Sequence, residues 1–95
     1  MDKIFQSLAH PVRRQILELL RDGPMSSGDI AARFEATWPT ITRHLTMLRT
    51  AGLVEARRSG PSVVYRMAPV VLAEPLQYMN ALACPPDRGP LSAAH

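Results

Sequence analysis

Side chains that can donate and accept hydrogen bonds alternate with apolar side chains between residues 38 and 50. If this stretch is helical, Ile41, Leu45 and Leu48 share one side at spacings of four and three. The opposite side then carries a mostly polar set: Pro39, Thr42, Arg43, Thr46 and Thr50. A guanidinium offers a fork of N–H donors, and a hydroxyl both donates and accepts. This face is therefore suited to binding a rigid surface with a fixed pattern of hydrogen-bonding groups.

The sequence has no comparable set of residues suited to catalysis. The sequence contains no serine or cysteine nucleophile with a histidine partner, no glycine-rich phosphate loop, no paired carboxylates in an apolar setting and no metal-ligand cluster. We therefore expect a binding protein rather than an enzyme, with no metal and no cofactor.

Two short helices joined by a tight turn position the polar face. Ser26 is suited to cap a helix over 27–34, and Thr37 to cap a longer helix over 38–51, which Gly52 ends. This arrangement is typical of a helix-turn-helix, whose second helix enters the major groove of DNA while its back packs on its own domain.

Hydrophobic spacing predicts the other elements. These are helices over 2–9, 11–22 and 69–83, and strands over 53–57 and 63–67 joined by a five-residue loop. Pro75 must kink the last helix or restart it at Glu74. A hairpin that follows a helix-turn-helix is a wing.

The chain is long enough for one domain and too short for two independent cores. The predicted fold class is mainly α with a small β-hairpin: a homodimeric winged helix-turn-helix of about five helices. Its domain spans residues 1–83, and the proline-rich tail over 84–95 is expected to be disordered.

Positive charge is concentrated where the hairpin and the second helix of the helix-turn-helix are predicted. We call this second helix, over 38–51, the reading helix. Residues 33–66 contain six arginines and two glutamates, a net charge of +4, whereas the whole chain carries +3 at pH 7. Phosphate binding requires such clustering. The alternative is an arginine-rich composition with no partner at all, and the clustering favours DNA.

Several motifs follow one another along the chain: Ala9–Leu17, Gly28-Asp29-Ile30-Ala31, Pro39–Leu45, Ala51-Gly52-Leu53-Val54, and a hairpin with Arg57-Arg58-Ser59-Gly60 and Val64-Tyr65-Arg66. Over about residues 5 to 80 the chain resembles the ArsR family of bacterial repressors. The resemblance implies a winged-helix homodimer that blocks transcription at an operator.

Many members of that family release DNA on binding metal. Their ligands are cysteines near the start of the helix before the reading helix, or carboxylates and histidines on the last helix. Here residues 25–30 contain no thiol, and the last predicted helix has Glu74 and no histidine. The chain is more similar to the metal-free autorepressors of the family, so we expect no metal switch.

Ten residues of the reading helix and wing are predicted to contact DNA. Thr40, Thr42 and Arg43 are the candidates for reading bases, since arginine can bind guanine O6 and N7 through paired hydrogen bonds. A phosphate contact is the alternative for Arg43. The full set is Trp38, Pro39, Thr40, Thr42, Arg43, His44, Thr46, Arg49, Arg57 and Arg58.

Two residues of this set have structural alternatives. Trp38 could contact a thymine methyl, a sugar or a phosphate, or it could fold back beside Phe34. His44 could contact phosphate or respond to pH, or it could be a partly buried histidine hydrogen-bonded at the joint between helices.

Three basic residues near the start of the second helix have predicted structural roles. His10 is expected to cap or connect helices. Arg13 and Arg14 could support the fold through carboxylates such as Glu18.

Apolar faces at the two ends of the chain would leave a large exposed patch on a monomer. We therefore predict that they form the interface of a homodimer, which would place two reading helices about one DNA turn apart. The set is Ile4, Phe5, Leu8, Leu72, Leu76, Tyr78, Met79 and Leu82. The alternative is that the terminal helices pack together within one monomer.

The resulting hypothesis is a dimeric DNA-binding repressor, an autorepressor, acting on a palindromic operator. One alternative is a winged-helix module that binds protein; another is a repressor gated through Cys84 or a cavity near Trp38. A lone cysteine and the lack of a signal peptide or apolar span predict a cytoplasmic bacterial protein that joins the nucleoid when bound to DNA.

Overall fold

A computed structural model describes residues 1–68 and 72–84 of the chain. Within these residues the chain forms five helices and a three-stranded antiparallel sheet in the order β1-β3-β2. The elements are α1 (Asp2–Leu8), α2 (Pro11–Arg21), β1 (Met25–Ser26), α3 (Ser27–Ala31), α4 (Trp38–Thr50), β2 (Val54–Ser59), β3 (Ser62–Met67) and α5 (Ala73–Ala83). The predicted winged helix-turn-helix fold is confirmed.

Local capping interactions set the helix ends. His10 Nδ1 accepts a hydrogen bond of 3.1 Å from the backbone N–H of Val12, so an imidazole caps α2. Ser26 Oγ accepts from the N–H of Asp29 at 3.1 Å and caps α3 as predicted. Gly52, with φ of +80°, lies in the left-handed region just beyond α4.

Two details at the helix-turn-helix differ from the sequence prediction. Helix α3 ends at Ala31, so Phe34 lies in the turn beyond it. Thr37 is the N-cap residue of α4, but its hydroxyl hydrogen-bonds Thr40 Oγ1 at 3.0 Å instead of a backbone N–H.

The wing has a shorter connection than predicted. The prediction of a five-residue loop over 58–62 is wrong, because Ser59 pairs with Ser62 and only Gly60 and Pro61 connect the strands. Gly60 has φ of +60°, and the proline ring locks the next φ near about −65°. This combination matches a type II′ turn, whose backbone suits the twist of a hairpin.

A third strand was not predicted from the sequence. Met25 pairs with Tyr65 and Ser26 with Val64, so β1 adds to the free side of β3. Two residues are too few to produce a periodic pattern. The strand ties the start of the helix-turn-helix directly to the wing.

The core lies between the helices and the inner face of the sheet. Its buried apolar residues are Ile4, Ile16, Leu20, Ile30, Ile41, Leu45, Leu48, Leu53, Val54 and Tyr65. Ile4, predicted for the dimer interface, is only 6% exposed, so its side chain stabilises its own protomer. Phe5, Leu8 and Leu72 are half-buried.

The last helix begins close to the proline that was expected to interrupt it. Pro75 is the third residue of α5, in the first turn, where a backbone N–H has no partner within the helix. The helix therefore begins at Ala73, one residue before the predicted restart at Glu74, with Pro75 in its first turn. Residues 69–71 and 85–95 lie outside the described ranges, so the prediction of a disordered tail stays a prediction. In the described part of the chain, no helix is long and apolar enough to cross a membrane.

Candidate nucleic-acid interface

Helix α4 presents its polar face to solvent along its whole length. Ile41, Leu45 and Leu48 are at most 1% exposed and attach the helix to the core. Exposed on its other sides are Trp38, Pro39, Thr42, Arg43, Thr46 and Arg49, whereas Thr40 and His44 are half-buried. The predicted contact residues on this helix are thus brought together on a helix held rigidly from behind.

Arg43 is available for an external partner. In residues 1–68 and 72–84 the ion pairs are Arg21 with Asp22 and Arg66 with Glu55, so no carboxylate holds the Arg43 guanidinium there. By contrast, the Thr46 hydroxyl donates to the carbonyl of Thr42 at 2.9 Å and is partly engaged within the helix.

Trp38 combines features of both sequence alternatives. The residue is 57% exposed at the first turn of α4. Its ring also lies against α3, because a Cβ added to Gly28 would come within 3.3 Å of Trp38 Cη2. The indole therefore packs on the neighbouring helix and leaves an accessible edge.

The two wing arginines lie in β2 and point to opposite faces of the sheet. Side chains alternate along a strand, so Arg58 shares a face with Val54 and Ala56, which pack towards the helices. Arg57 lies on the outer face with Glu55. Both arginines are exposed. The two side chains therefore point away from each other, and Arg58 is the one on the helix side of the wing.

His44 occupies the joint between α4 and the start of α2. Its ring centroid lies 4.4 Å from that of His10, with the rings tilted by 52°. His44 Nδ1 is buried and has no hydrogen-bond partner among the described residues. The partly buried position of the histidine at the joint is as predicted, but the predicted hydrogen bond is not made at Nδ1.

Sequence reasoning missed the burial of Arg13. Its side chain is 8% exposed and donates to Met47 Sδ at 2.6 Å and to the carbonyl of Gln6 at 3.4 Å. The prediction that Arg13 and Arg14 support the fold through carboxylates such as Glu18 is wrong. Arg14 instead donates a hydrogen bond of 2.6 Å to the Leu8 carbonyl. Arg13 lies three residues before Ile16, on the buried side of α2, and this spacing was the available signal.

We predict that stability falls in acid because of His44. Burial, followed by the charges of His10, Arg13 and Arg43, lowers the pKa of His44 below its ordinary value of 6.5. Below pH 6.5 the unfolded chain therefore binds a proton at His44 more readily than the folded chain does. The contribution of neutral His44 to the free energy of unfolding is complete above pH 6.5 and is lost as the pH falls below it. Urea unfolding should give a lower free energy at pH 5.5 than at pH 7.5, with a smaller difference in His44→Gln. An equal pH dependence in that variant would contradict the assignment, and His95→Gln is the control.

Metal-binding residues do not converge in the described structure. Within residues 1–68 and 72–84 no group of three or more histidine, cysteine, aspartate or glutamate side chains could hold an ion. Cys84 is exposed at the end of α5.

Comparison with known proteins gives a consistent result. The sequence profile described as bacterial regulatory protein, arsR family, matches residues 10–56. The transcriptional repressor SdpR of Bacillus subtilis is 35% identical over 79 residues, which cover 83% of this chain and 88% of SdpR. The biofilm growth-associated repressor of Agrobacterium fabrum is 32% identical over 84 residues, covering 88% of this chain and 72% of that protein.

A solved structure extends the similarity to the fold. The homodimeric winged helix-turn-helix DNA-binding domain Mb0332 of Mycobacterium bovis matches with a TM-score of 0.70 and 33% identity, covering 86% of this chain and 76% of that one. The proteins matched are transcription regulators, not enzymes. With its winged helix-turn-helix and these relatives, the chain belongs to the ArsR family of bacterial regulatory proteins.

Proposed function

We propose that this protein is a transcriptional repressor that binds a palindromic operator as a homodimer, with α4 in the major groove. The observation that carries the proposal is the polar face of α4. Arg43 and Thr42 are exposed there, while Ile41, Leu45 and Leu48 hold the helix from behind. The repressors SdpR of Bacillus subtilis and the biofilm growth-associated repressor of Agrobacterium fabrum support the direction of regulation.

Six of the predicted contact residues have distinct proposed roles. Arg43, with Thr40 and Thr42, is proposed to contact base edges, and Thr46 and Arg49 to contact the backbone. From the wing, Arg58 is proposed to reach the phosphates or minor groove flanking α4, because it lies on the helix side of the sheet.

Dimerisation is supported by the apolar face of α5. Leu76, Tyr78, Met79 and Leu82 are between 45% and 64% exposed, although Pro75 on the same helix is buried. Phe5 of α1 continues this surface, with its ring centroid 6.1 Å from that of Tyr78. A second protomer would bury this patch and place two copies of α4 about 34 Å apart, as a palindrome requires.

We propose that release from DNA does not depend on a bound metal. The motif that carries thiols in metal-sensing relatives holds none in residues 25–30. We also propose that the protein represses its own gene.

Operator binding is the test of the function. Fluorescence anisotropy with the chain's own upstream promoter region, against a scrambled duplex, should give preferential binding at two protomers per site. The affinity should fall steeply with salt, because each neutralised phosphate contributes about −0.9 to the log–log slope. Transcription from the same promoter should fall when the protein is added. Equal weak binding to both duplexes would instead favour a protein partner for the basic face.

Replacement of Arg43 should reduce both affinity and specificity. Arg43→Ala is expected to weaken operator binding by about 1–3 kcal/mol and to reduce discrimination at one base pair per half-site. Arg21→Ala removes the same charge from an exposed site at the end of α2 and is the matched control. Equal losses in the two variants would exclude a specific contact, and a loss without relaxed discrimination would assign Arg43 to a phosphate.

A further inference from the structure

Three basic side chains meet where the start of α2 packs beside α4. His10 caps α2, and its ring lies 4.4 Å from that of His44 on α4. Arg13, one turn into α2, lies beneath them with 8% of its surface exposed. The charges that act on His44 come from His10 and Arg13 on the α2 side and from Arg43 on α4 itself, and all of them are basic.

Arg13 has unusually weak partners for a buried cation. Its guanidinium donates to the Met47 thioether and, at 3.4 Å, to the Gln6 carbonyl, while its Nε is buried without a partner. A thioether is a weak acceptor, and buried charges are normally paired with an opposite charge. Among the described residues the ion pairs involve other arginines. This cluster therefore lacks a negative charge.

The position of the cluster indicates where that charge comes from. Each residue turns an α-helix by about 100°, so His44 lies on a flank of α4, at the border between the inward side that holds Leu48 and the solvent-exposed side. It is half-buried there. A helix with its side chains is about 10–12 Å wide and the major groove about 12 Å. The flanks of an inserted helix thus face the phosphates at the groove wall. The positive N-terminal end of α2 adds to the attraction for an anion there.

The two imidazoles differ in whether Nδ1 already has a hydrogen-bond partner. His10 Nδ1 accepts a hydrogen bond from the Val12 N–H, so its Nε2 is the nitrogen left to donate to a ligand. His44 lacks such a constraint at Nδ1. Burial and neighbouring cations hold the pKa of His44 low, and a phosphate beside it would have the opposite effect.

We propose that His10 and His44 bind one phosphodiester group of the operator backbone on the α2 side of α4, and that His44 takes up a proton on binding. This rests on the proposed function, since it assumes that α4 enters the major groove. Operator affinity then increases as pH falls, because the complex holds one more proton than the free protein. The effect is opposite in sign to the loss of fold stability in acid.

The first test is the pH dependence of operator affinity at constant salt. Wild-type protein should bind the operator duplex about tenfold more tightly at pH 6 than at pH 8. His44→Gln should bind with nearly constant affinity, and His95→Gln should behave as wild type. His10→Asn should weaken binding while retaining a cap for α2, since asparagine is a favoured capping residue. Circular dichroism at each pH confirms that every variant is folded.

The second test identifies the phosphate. A series of operator duplexes, each with one uncharged methylphosphonate linkage, should contain a position in each half-site that abolishes the pH dependence of the wild-type protein. The same substitution should have no further effect on His44→Gln.

The outcomes separate the two proposals. Operator-specific binding that does not change with pH, or pH dependence that persists in His44→Gln, would overturn the proton-linked phosphate contact and leave the repressor function intact. A pH effect that no methylphosphonate removes would also overturn it. A failure to prefer the operator at any pH would refute the proposed function itself.

Discussion

Replacing Leu76 and Leu82 together with aspartate is expected to convert the protein to a monomer and to lower operator affinity by about 100-fold or more. Both side chains are more than 60% exposed on a single protomer, so the protomer should still fold. A carboxylate in an apolar interface has no partner and opposes association. The two halves of the operator would then be bound independently, without the gain that comes from linking two reading helices.

Gln77→Asp with Asn80→Asp is the matched control for this prediction. These residues lie on the polar side of α5 and introduce the same charge. Light scattering should show a dimer for the control and a monomer for the Leu76/Leu82 variant, with anisotropy reporting affinity. A variant that stays dimeric would place the interface elsewhere, and a monomer with undiminished affinity would refute the dimeric mode of binding.

Replacing Leu48 with alanine is expected to lower the free energy of unfolding by about 2–5 kcal/mol. Leu48 is fully buried, in the core cluster with Ile41 and Leu45. Truncation removes packing atoms from the side of α4 that attaches it to the domain and leaves a cavity. Domains of this size have only about 5–15 kcal/mol of stability, so the loss should also reduce the fraction able to bind DNA at 37 °C.

Urea unfolding of Leu48→Ala should be compared with Thr50→Ala, an exposed change two residues away on the same helix. The protein concentration must be constant, because the stability of a dimer depends on it. A loss no larger than that of the control would be inconsistent with the burial of Leu48.

The reading helix and its attachment were predictable because their determinants are local. The inward spacing of Ile41, Leu45 and Leu48 depends only on the helical period, and the caps at Ser26 and Gly52 involve neighbours within one turn. The resemblance in the same stretch added the winged-helix fold. The same period places the polar residues of α4 opposite Ile41, Leu45 and Leu48, on the side of the helix that faces solvent.

The wing was predictable only in outline. Alternating β-branched residues identified two strands, but the polar residues from Arg58 to Ser62 have the composition of a loop. The short turn depends on the positive φ of Gly60 and on pairing between Ser59 and Ser62. That pairing places Arg58, predicted to lie in the loop, in β2 beside Arg57 and on the opposite face of the sheet.

The sequence by itself determined the order of the helices and the buried side of α4, because these depend on the helical period and on contacts within about four positions along the chain. The order of its motifs indicated the family. The tertiary structure alone decided the third strand, which joins Met25 to Tyr65, and the meeting of His10 with His44. It also decided the burial of Arg13 beneath Met47. Each of these joins segments 30 or more residues apart, and the relative placement of helices that brings them together leaves no periodic signal in the local sequence.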